Sequence, residues 1–149
     1  MPVNVDAVGR AYGPYEQYEV SRVKIREFAD AVDARGVEHR DLSAAKAAGF
    51  SDVVAPTTFA VAIAQRAEFH VIVDPEVGVD FSKVVHADER FTHHRPIVAG
   101  DVLETVIHIE AISQRGGISM VTTRAELSDA SGQPVATVLS TLAVREDAS

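Results

Sequence analysis

The chain has 149 residues, 46% of them apolar and 24% charged, values that are typical of one globular domain and that argue against disorder. The absence of cysteine excludes disulfides, thiolate metal sites and a cysteine nucleophile. A formal charge of -8 without a cluster of Lys or Arg argues against nucleic acid or membrane partners, and no apolar run reaches the ~18 to 20 residues that span a bilayer. From the length we expect one domain over residues 1–149. Because the N-terminus lacks the features of a secretory signal, we expect this domain to be cytoplasmic.

In chain order, the first two predicted helices cover residues 21–33 and 42–48. The apolar residues of the first lie near one stripe, as in an amphipathic surface helix, and Ser21 is a suitable N-cap. That stripe consists of Val23, Phe28, Ala31 and Val32. The second helix is alanine-rich, with Asp41 as its N-cap and Gly49 as its C-terminal stop.

A third predicted helix covers residues 53–65. Pro56 stands where a first helical turn tolerates proline, and the eight residues after it are apolar or threonine on every side. A helix with this pattern is expected to be buried all round, which requires a sheet that wraps it.

The second half of the chain changes to strand-like periodicity. Odd positions from Leu103 to Ala111 are apolar or threonine, whereas Glu104, His108 and Glu110 indicate a more polar opposite face. The Gly116-Gly117 pair and the Asp129-Ala-Ser-Gly132 turn separate the later segments, so we predict an antiparallel meander of four long strands. The strands are residues 84–94, 102–113, 118–128 and 135–145, with a short additional strand at 18–20. A long buried helix with an antiparallel sheet curled around it is the α+β hot-dog fold.

Several stretches, taken together in their order along the chain, carry a resemblance to one family that covers nearly the whole chain. They are residues 8–12, 21–32, 54–59, Val84-Val-His86, Phe91, Arg95-Pro96 and Gly100-Asp101. With them the chain resembles the MaoC-like, (R)-specific enoyl-thioester hydratase/dehydratase family, and within it the HadA-type β-hydroxyacyl-ACP dehydratase subunits. The resemblance implies no cofactor and an acyl-CoA or acyl-ACP thioester as ligand.

The family's catalytic motif is Asp-x-Asn-Pro-x-His, and His39 falls on its histidine. Counting back, the acid position is Ala34, and Gly36 and Val37 replace Asn and Pro, so Asp33 stands one residue early. The resemblance implies that His39 and Asp33 hold one water that adds to the β-carbon of a trans-2-enoyl thioester. Histidine suits the step because its unperturbed pKa of ~6.5 allows proton exchange near neutrality.

The family stabilises the thioester oxygen with a backbone N–H at the start of the central helix, where free amides favour an anion. Thr57 occupies that position, and Thr58 supplies either a second contact or a helix cap. The acyl chain would run along a tunnel lined by Phe59, Ile63, Phe69 and Ile72. His70 either lines that tunnel or is a helix-end residue.

Other candidates carry plainer interpretations. His93 and His94 are adjacent on a strand and point to opposite faces, so we expect no metal site. Arg95 suits either a phosphopantetheine phosphate or a surface salt bridge.

Three functions remain open. The first is an active (3R)-hydroxyacyl-thioester dehydratase, equally a trans-2-enoyl-thioester hydratase, of fatty-acid metabolism. The second is a non-catalytic, acyl-chain-binding subunit of a heterodimeric dehydratase. The third is a thioesterase, for which Glu68 and Asp52 are the nearby acids. Because a sheet of this kind exposes an edge strand, we expect a homodimer or a heterodimer with a second hot-dog subunit.

Overall fold

The computed structural model describes residues 2–15 and 17–147. In chain order, the elements are β1 (Ala11–Tyr12), β2 (Tyr18–Glu19), α1 (Arg22–Ala31), α2 (Leu42–Ala47), α3 (Ala60–Ile72), β3 (Val84–His93), β4 (Val102–Arg115), β5 (Ile118–Ser128) and β6 (Pro134–Arg145). Short 3-10 turns lie at Val5–Ala7, Val37–His39 and Phe81–Lys83. Within the described ranges, no helix is long and apolar enough to cross a membrane.

The strands pair antiparallel in the order β1-β4-β5-β6-β3, and β2 also pairs with β4. β4, β5 and β6 form the predicted meander, but the meander over all four long strands was wrong because β3 pairs with β6 and not with β4. Residues 94–101 connect β3, at one end of the strand order, to β4, which lies beyond β6 and β5. β3 is therefore the end strand of the sheet that the described residues form.

α3 packs one face against the sheet. Its buried residues are Ala60, Ile63, Ala64, Ala67, Glu68 and Val71. The opposite face, which includes Gln65, Arg66, Phe69 and His70, is exposed. The prediction that this helix is buried all round was therefore wrong, because the sheet covers it from one side only.

Local capping chemistry agrees with the predictions for α1 and α2. The Ser21 side chain accepts a hydrogen bond from the Lys24 amide, and Asp41 caps α2 in the same way. The predicted stripe of α1 was right at Phe28, which packs against the core, and wrong at its other three positions, because Val23 is 53% exposed, Val32 is 48% exposed and Ala31 is exposed. The helix buries Ile25 and Ala29 instead, with Phe28 half-buried, and these positions share one helical face.

β4 follows the predicted alternation over most of its length. Leu103, Thr105, Ile107 and Ile109 are buried and line the core. The pairing with β5 shifts between Ile109 and Ala111, and this irregularity leaves Ala111 exposed although it was predicted on the inner face.

Candidate functional site

A cleft of about 630 Å³ lies where three segments meet: the turn around residue 38, the approach to α3, and the residues that end β3 and follow it. Its walls are formed by Ala34, Glu38, His39, Phe50, Val54, Ala55, Pro56, Thr57, His93, His94, Arg95, Pro96 and Ile97. The cleft therefore joins the predicted histidine His39 to the predicted oxyanion position Thr57.

His39 is held in place by the chain that leads to α3. Its Nδ1 lies 2.7 Å from the Val54 carbonyl oxygen, and since a carbonyl only accepts, Nδ1 carries the proton and donates. The neutral ring then has an unprotonated Nε2. The Val54 amide in turn donates to the Glu38 carbonyl at 3.1 Å, so the 3-10 turn and the approach to α3 are tied together. The His39 side chain is 14% exposed and lines the cleft.

Glu38 is a site residue that the motif spacing did not reveal. Its Oε1 lies 3.8 Å from His39 Nε2, and the carboxylate lines the cleft. A Cβ at position 36 would overlap this carboxylate, so Gly36 provides the space in which the Glu38 side chain folds back. The adjacency of Glu38 and His39 in the sequence was the available signal.

Asp33 lies away from the cleft wall. Its side chain is 74% exposed, and its carboxylate accepts a hydrogen bond from Arg35 Nε at 2.8 Å. Its backbone has φ 56, a left-handed conformation that aspartate tolerates better than most residues and that ends α1. Ala34 lines the cleft in its place. The position that the motif count assigns to the acid is therefore an alanine, which has no carboxylate.

Thr57 and Thr58 are exposed and precede the first residue of α3, which begins at Ala60 and not at the predicted position. Neither amide donates to a backbone acceptor among residues 2–15 and 17–147, whereas the Phe59 amide bonds the Pro56 carbonyl at 2.9 Å. His93 Nε2 donates to the Thr57 carbonyl at 2.7 Å and fixes this turn. Sequence reasoning considered His93 only as a metal ligand and missed this contact.

The predicted tunnel residues are distributed over different places. Phe59 is 0% exposed in the core, with its ring edge-on to Phe28 at 5.3 Å. Ile63 and Phe69 line a second cavity of about 480 Å³, where His70 stacks on Tyr15. Ile72 lines a third cavity of about 280 Å³, which Phe69 also borders. The structure does not bring these four side chains together with His39.

Asp52 and Glu68, the acids of the thioesterase alternative, and Arg95 are engaged in ion pairs or hydrogen bonds. Asp52 pairs with Arg22 at 2.9 Å, a contact that lowers the pKa of this carboxyl. Arg95 binds both carboxylate oxygens of Asp101 at 2.9 and 3.0 Å, as the salt-bridge alternative predicts. Among the described parts of the chain, no group of three or more His, Cys, Asp or Glu side chains is arranged to hold a metal ion.

Comparison with known proteins assigns the chain to a family. Residues 6–138 match the model of the FAS1-like, dehydratase domain region. The chain belongs to the FAS1-like dehydratase family. This dehydratase-family chain is also 50% identical over 145 residues to a UPF0336 protein of Saccharopolyspora erythraea, covering 97% of the chain and 93% of that relative. A UPF0336 protein of Thermobifida fusca is 45% identical over 148 residues, with 99% and 97% covered.

Solved dehydratases have the same fold. One structure is the C-terminally truncated HadBC (3R-hydroxyacyl-ACP dehydratase) complex from Mycobacterium tuberculosis, with 30% identity, a TM-score of 0.84, and coverage of 93% of this chain and 97% of that one. Another is a MaoC-like dehydratase with 34% identity and a TM-score of 0.88, covering 94% of this chain and 42% of that one. The predicted hot-dog fold and MaoC-like relationship are confirmed, and the HadA-type assignment stays a prediction.

Proposed function

We propose that this chain is a subunit of a (3R)-hydroxyacyl-thioester dehydratase, an enzyme that equally hydrates trans-2-enoyl thioesters in fatty-acid metabolism. In this role the chain binds the acyl-CoA or acyl-ACP thioester and pairs with a second hot-dog subunit that carries the complete acid–base pair. The observation that carries the proposal is the cleft wall at Ala34, where the position assigned to the family's acid is an alanine, while the Asp33 side chain is exposed to solvent.

The start of α3 supports the binding role. The amides of Thr57 and Thr58 precede a helix N-terminus, where unpaired N–H groups and the helix dipole favour a negatively charged oxygen. The thioester oxygen gains negative charge as an enolate-like state forms, so these amides suit its stabilisation. His93 keeps the Thr57 peptide in one orientation through its hydrogen bond to the carbonyl.

The outer side of β3 supports the pairing role. Within the described chain β3 bonds only β6, so one row of its backbone N–H and C=O groups remains available to a further strand. Phe81 is 68% exposed, Val85 67% and Phe69 55%, which places large apolar side chains on and near this edge. Two of the similar structures are complexes of paired chains, HadBC and ChsH1–ChsH2, of which the latter, at 16% identity, shares only the fold.

A second candidate function is favoured by the contact between Glu38 and His39. With Nδ1 bound to Val54, His39 Nε2 is free to take a proton from a water while the water oxygen bonds to the β-carbon of the enoyl thioester. Glu38, 3.8 Å from Nε2, would stabilise the imidazolium that results, and the α-carbon of the enolate would then take this proton from Nε2, which restores the neutral ring. In this alternative the chain is an active hydratase by itself.

The two candidates are separated by the rate at which a short trans-2-enoyl-CoA loses its enoyl absorbance. For the subunit role, the purified chain alone is inactive, the mixture with its hot-dog partner is active, and His39→Ala changes the rate of the mixture by less than about twofold. If the chain alone is active and His39→Ala lowers its rate by about 10²-fold or more, the magnitude of a general base, the second candidate is correct. His94→Ala is the matched control, because His94 lines the same cleft but bonds the Thr137 hydroxyl.

Thioester binding is measured separately, by calorimetry with a non-reactive saturated acyl-CoA. The subunit role predicts binding to the assembled pair that weakens when His93→Ala releases the turn at Thr57. If neither the chain nor the pair binds or hydrates a thioester, both candidates are refuted.

A further inference from the structure

The second cavity, which Ile63 and Phe69 line, lies between one side of α3 and the segment that leads from β1 to β2. Its volume of about 480 Å³ is within the range of about 300–1,000 Å³ that is usual for small-molecule sites. None of the residues that line the cleft at His39 also lines this cavity. The cavity is therefore a separate place on the molecule, which the proposed function does not use.

The segment from β1 to β2 is attached closely to β4. The Tyr15 amide donates to the Thr105 carbonyl oxygen at 3.3 Å. A Cβ at position 13 would lie 2.7 Å from the same carbonyl oxygen, so Gly13 permits this approach. Tyr18 pairs with Leu103 of β4. The two tyrosines of the cavity therefore belong to a wall that the sheet holds in place.

Aromatic and apolar side chains form much of the lining. The His70 ring of α3 stacks on the Tyr15 ring, with centroids 3.9 Å apart and planes within 9° of parallel. The Phe69 ring is edge-on to His70 at 6.5 Å, and the adjacent Ile63 side chain is 2% exposed. Because aromatic rings pack well edge-on or offset against one another, this lining suits a ligand with a flat ring.

The fixed charge in the cavity is one guanidinium. Arg66 lies one helical turn before His70, and its Cζ is 5.5 Å from the centroid of the Tyr18 ring. No acid lines the cavity, and Arg66 forms no salt bridge with a carboxylate among residues 2–15 and 17–147. Burial raises the pKa of Tyr15 and Tyr18, although the charge of Arg66 acts in the opposite direction on Tyr18, so both phenols are neutral near pH 7. A cationic, aromatic cavity is therefore present in a chain whose formal charge is -8.

A buried hydroxyl adds a polar group to the lining. Thr105 of β4 is 5% exposed and lines the cavity. Within the described ranges its side-chain hydroxyl makes no hydrogen bond to the protein, although its backbone carbonyl accepts from Tyr15. Because buried polar groups are normally paired, this hydroxyl is available to a polar atom of a ligand.

We propose that this cavity binds a small aromatic carboxylate, whose charged group pairs with Arg66 and whose ring packs among the aromatic side chains. A guanidinium offers two parallel N–H groups, which match the two oxygens of a carboxylate. One fixed positive charge also suits a monoanion better than a phosphate monoester, which carries about -1.5 to -2 charges near pH 7. The Thr105 hydroxyl is a further partner for a polar atom of the ligand. The inference is independent of the proposed function, because the two sites share no residue.

The test is a titration of the intact ¹⁵N-labelled chain with phenylacetate, followed through its amide NMR signals, which report both the affinity and the place of binding. Phenylacetamide, which keeps the ring and lacks the charge, is the control ligand. We expect phenylacetate to bind about tenfold or more tightly than phenylacetamide, the magnitude of one hydrogen bond to a charged group. The largest shifts are expected at Tyr15, Tyr18 and His70, with small shifts at His39 and Thr57.

Variants of the guanidinium separate its role from general electrostatic attraction. Arg66→Gln should weaken phenylacetate binding by about tenfold or more, and Arg66→Lys should recover only part of the loss. Arg26→Gln is the matched control, because Arg26 is also an exposed helix arginine but lies on α1 and does not line the cavity. It should change the affinity by less than about twofold, the effect of a distant surface charge.

Three results would overturn the proposal. The first is the absence of phenylacetate binding to the wild type, and the second is equal affinity in the wild type and in Arg66→Gln. The third is a shift pattern centred on His39 and Thr57, which would place the ligand in the cleft and needs no variant to be seen. If a saturated acyl-CoA displaces phenylacetate while Arg66→Gln leaves the affinity unchanged, the cavity is part of an acyl tunnel instead.

The outcome is distinguishable from that of the enoyl-CoA assay. Loss of phenylacetate binding in Arg66→Gln with an unchanged enoyl-CoA rate of the assembled pair supports a separate carboxylate site. An inactive pair whose chain still binds phenylacetate through Arg66 refutes the proposed function and leaves this inference standing.

Discussion

Replacing Phe59 by alanine tests whether this side chain belongs to the core or to an acyl tunnel. Phe59 is 0% exposed, and its ring contacts Phe28 edge-on at 5.3 Å and Tyr18 at 6.5 Å. Truncating a fully buried phenylalanine costs about 3–5 kcal/mol, which includes the cavity that remains. The two aromatic contacts place Phe59→Ala in the upper part of that range. Because small domains have about 5–15 kcal/mol of stability, the variant is expected to fold but to unfold at much lower denaturant concentration.

The assay is equilibrium unfolding in urea, with Phe69→Ala as the control. Phe69 is 55% exposed on the outer face of α3, so its truncation should change the free energy of unfolding of the isolated chain by less than about 0.5 kcal/mol. A loss below about 1 kcal/mol for Phe59→Ala, accompanied by a changed preference for acyl chain length, would refute the core assignment and restore Phe59 to the tunnel.

Three further predictions concern individual contacts. Arg95→Ala should cost about 1–2 kcal/mol in urea unfolding, with Arg95→Lys recovering little because lysine cannot reproduce the two-pronged contact with Asp101. Burial and the hydrogen bond to Asp74 raise the pKa of Tyr12 to about 12, so its contribution to stability is lost as pH rises from 10.0 toward that value. An ultraviolet titration should show this last phenol step, and Tyr12→Phe should remove it. Asp41→Ala removes the cap of α2 and should lower stability by about 0.5–2 kcal/mol, whereas Asp41→Asn should retain most of it.

The proposed function depends partly on site residues that lie outside the positions assigned by the catalytic motif. Spacing identified His39 and Thr57, and the structure places both on one cleft. Spacing also suggested Asp33, but the left-handed turn at the end of α1 directs that side chain to Arg35. Glu38 and His93 entered the site because the 3-10 turn and the end of β3 are brought to the same place by long-range packing.

Periodicity and turn chemistry in the sequence located α1, α2 and the four long strands, whereas α3 lies further along the chain than predicted and β1 was not predicted. Ser21 and Asp41 cap their helices as predicted, and Gly116-Gly117 joins β4 to β5. These features act within a few residues of backbone, so a local pattern is sufficient to specify them.

Only the tertiary structure decided which strands are neighbours and which polar groups are buried together. The strand pattern of β3 does not show that its partner is β6, because a connection of several residues permits either edge. Glu68 and Thr123 are 55 positions apart in the sequence, and they share a buried hydrogen bond of 2.9 Å because α3 packs across β4, β5 and β6. Contacts of this kind depend on the summed packing of the whole core, which no local window of sequence contains.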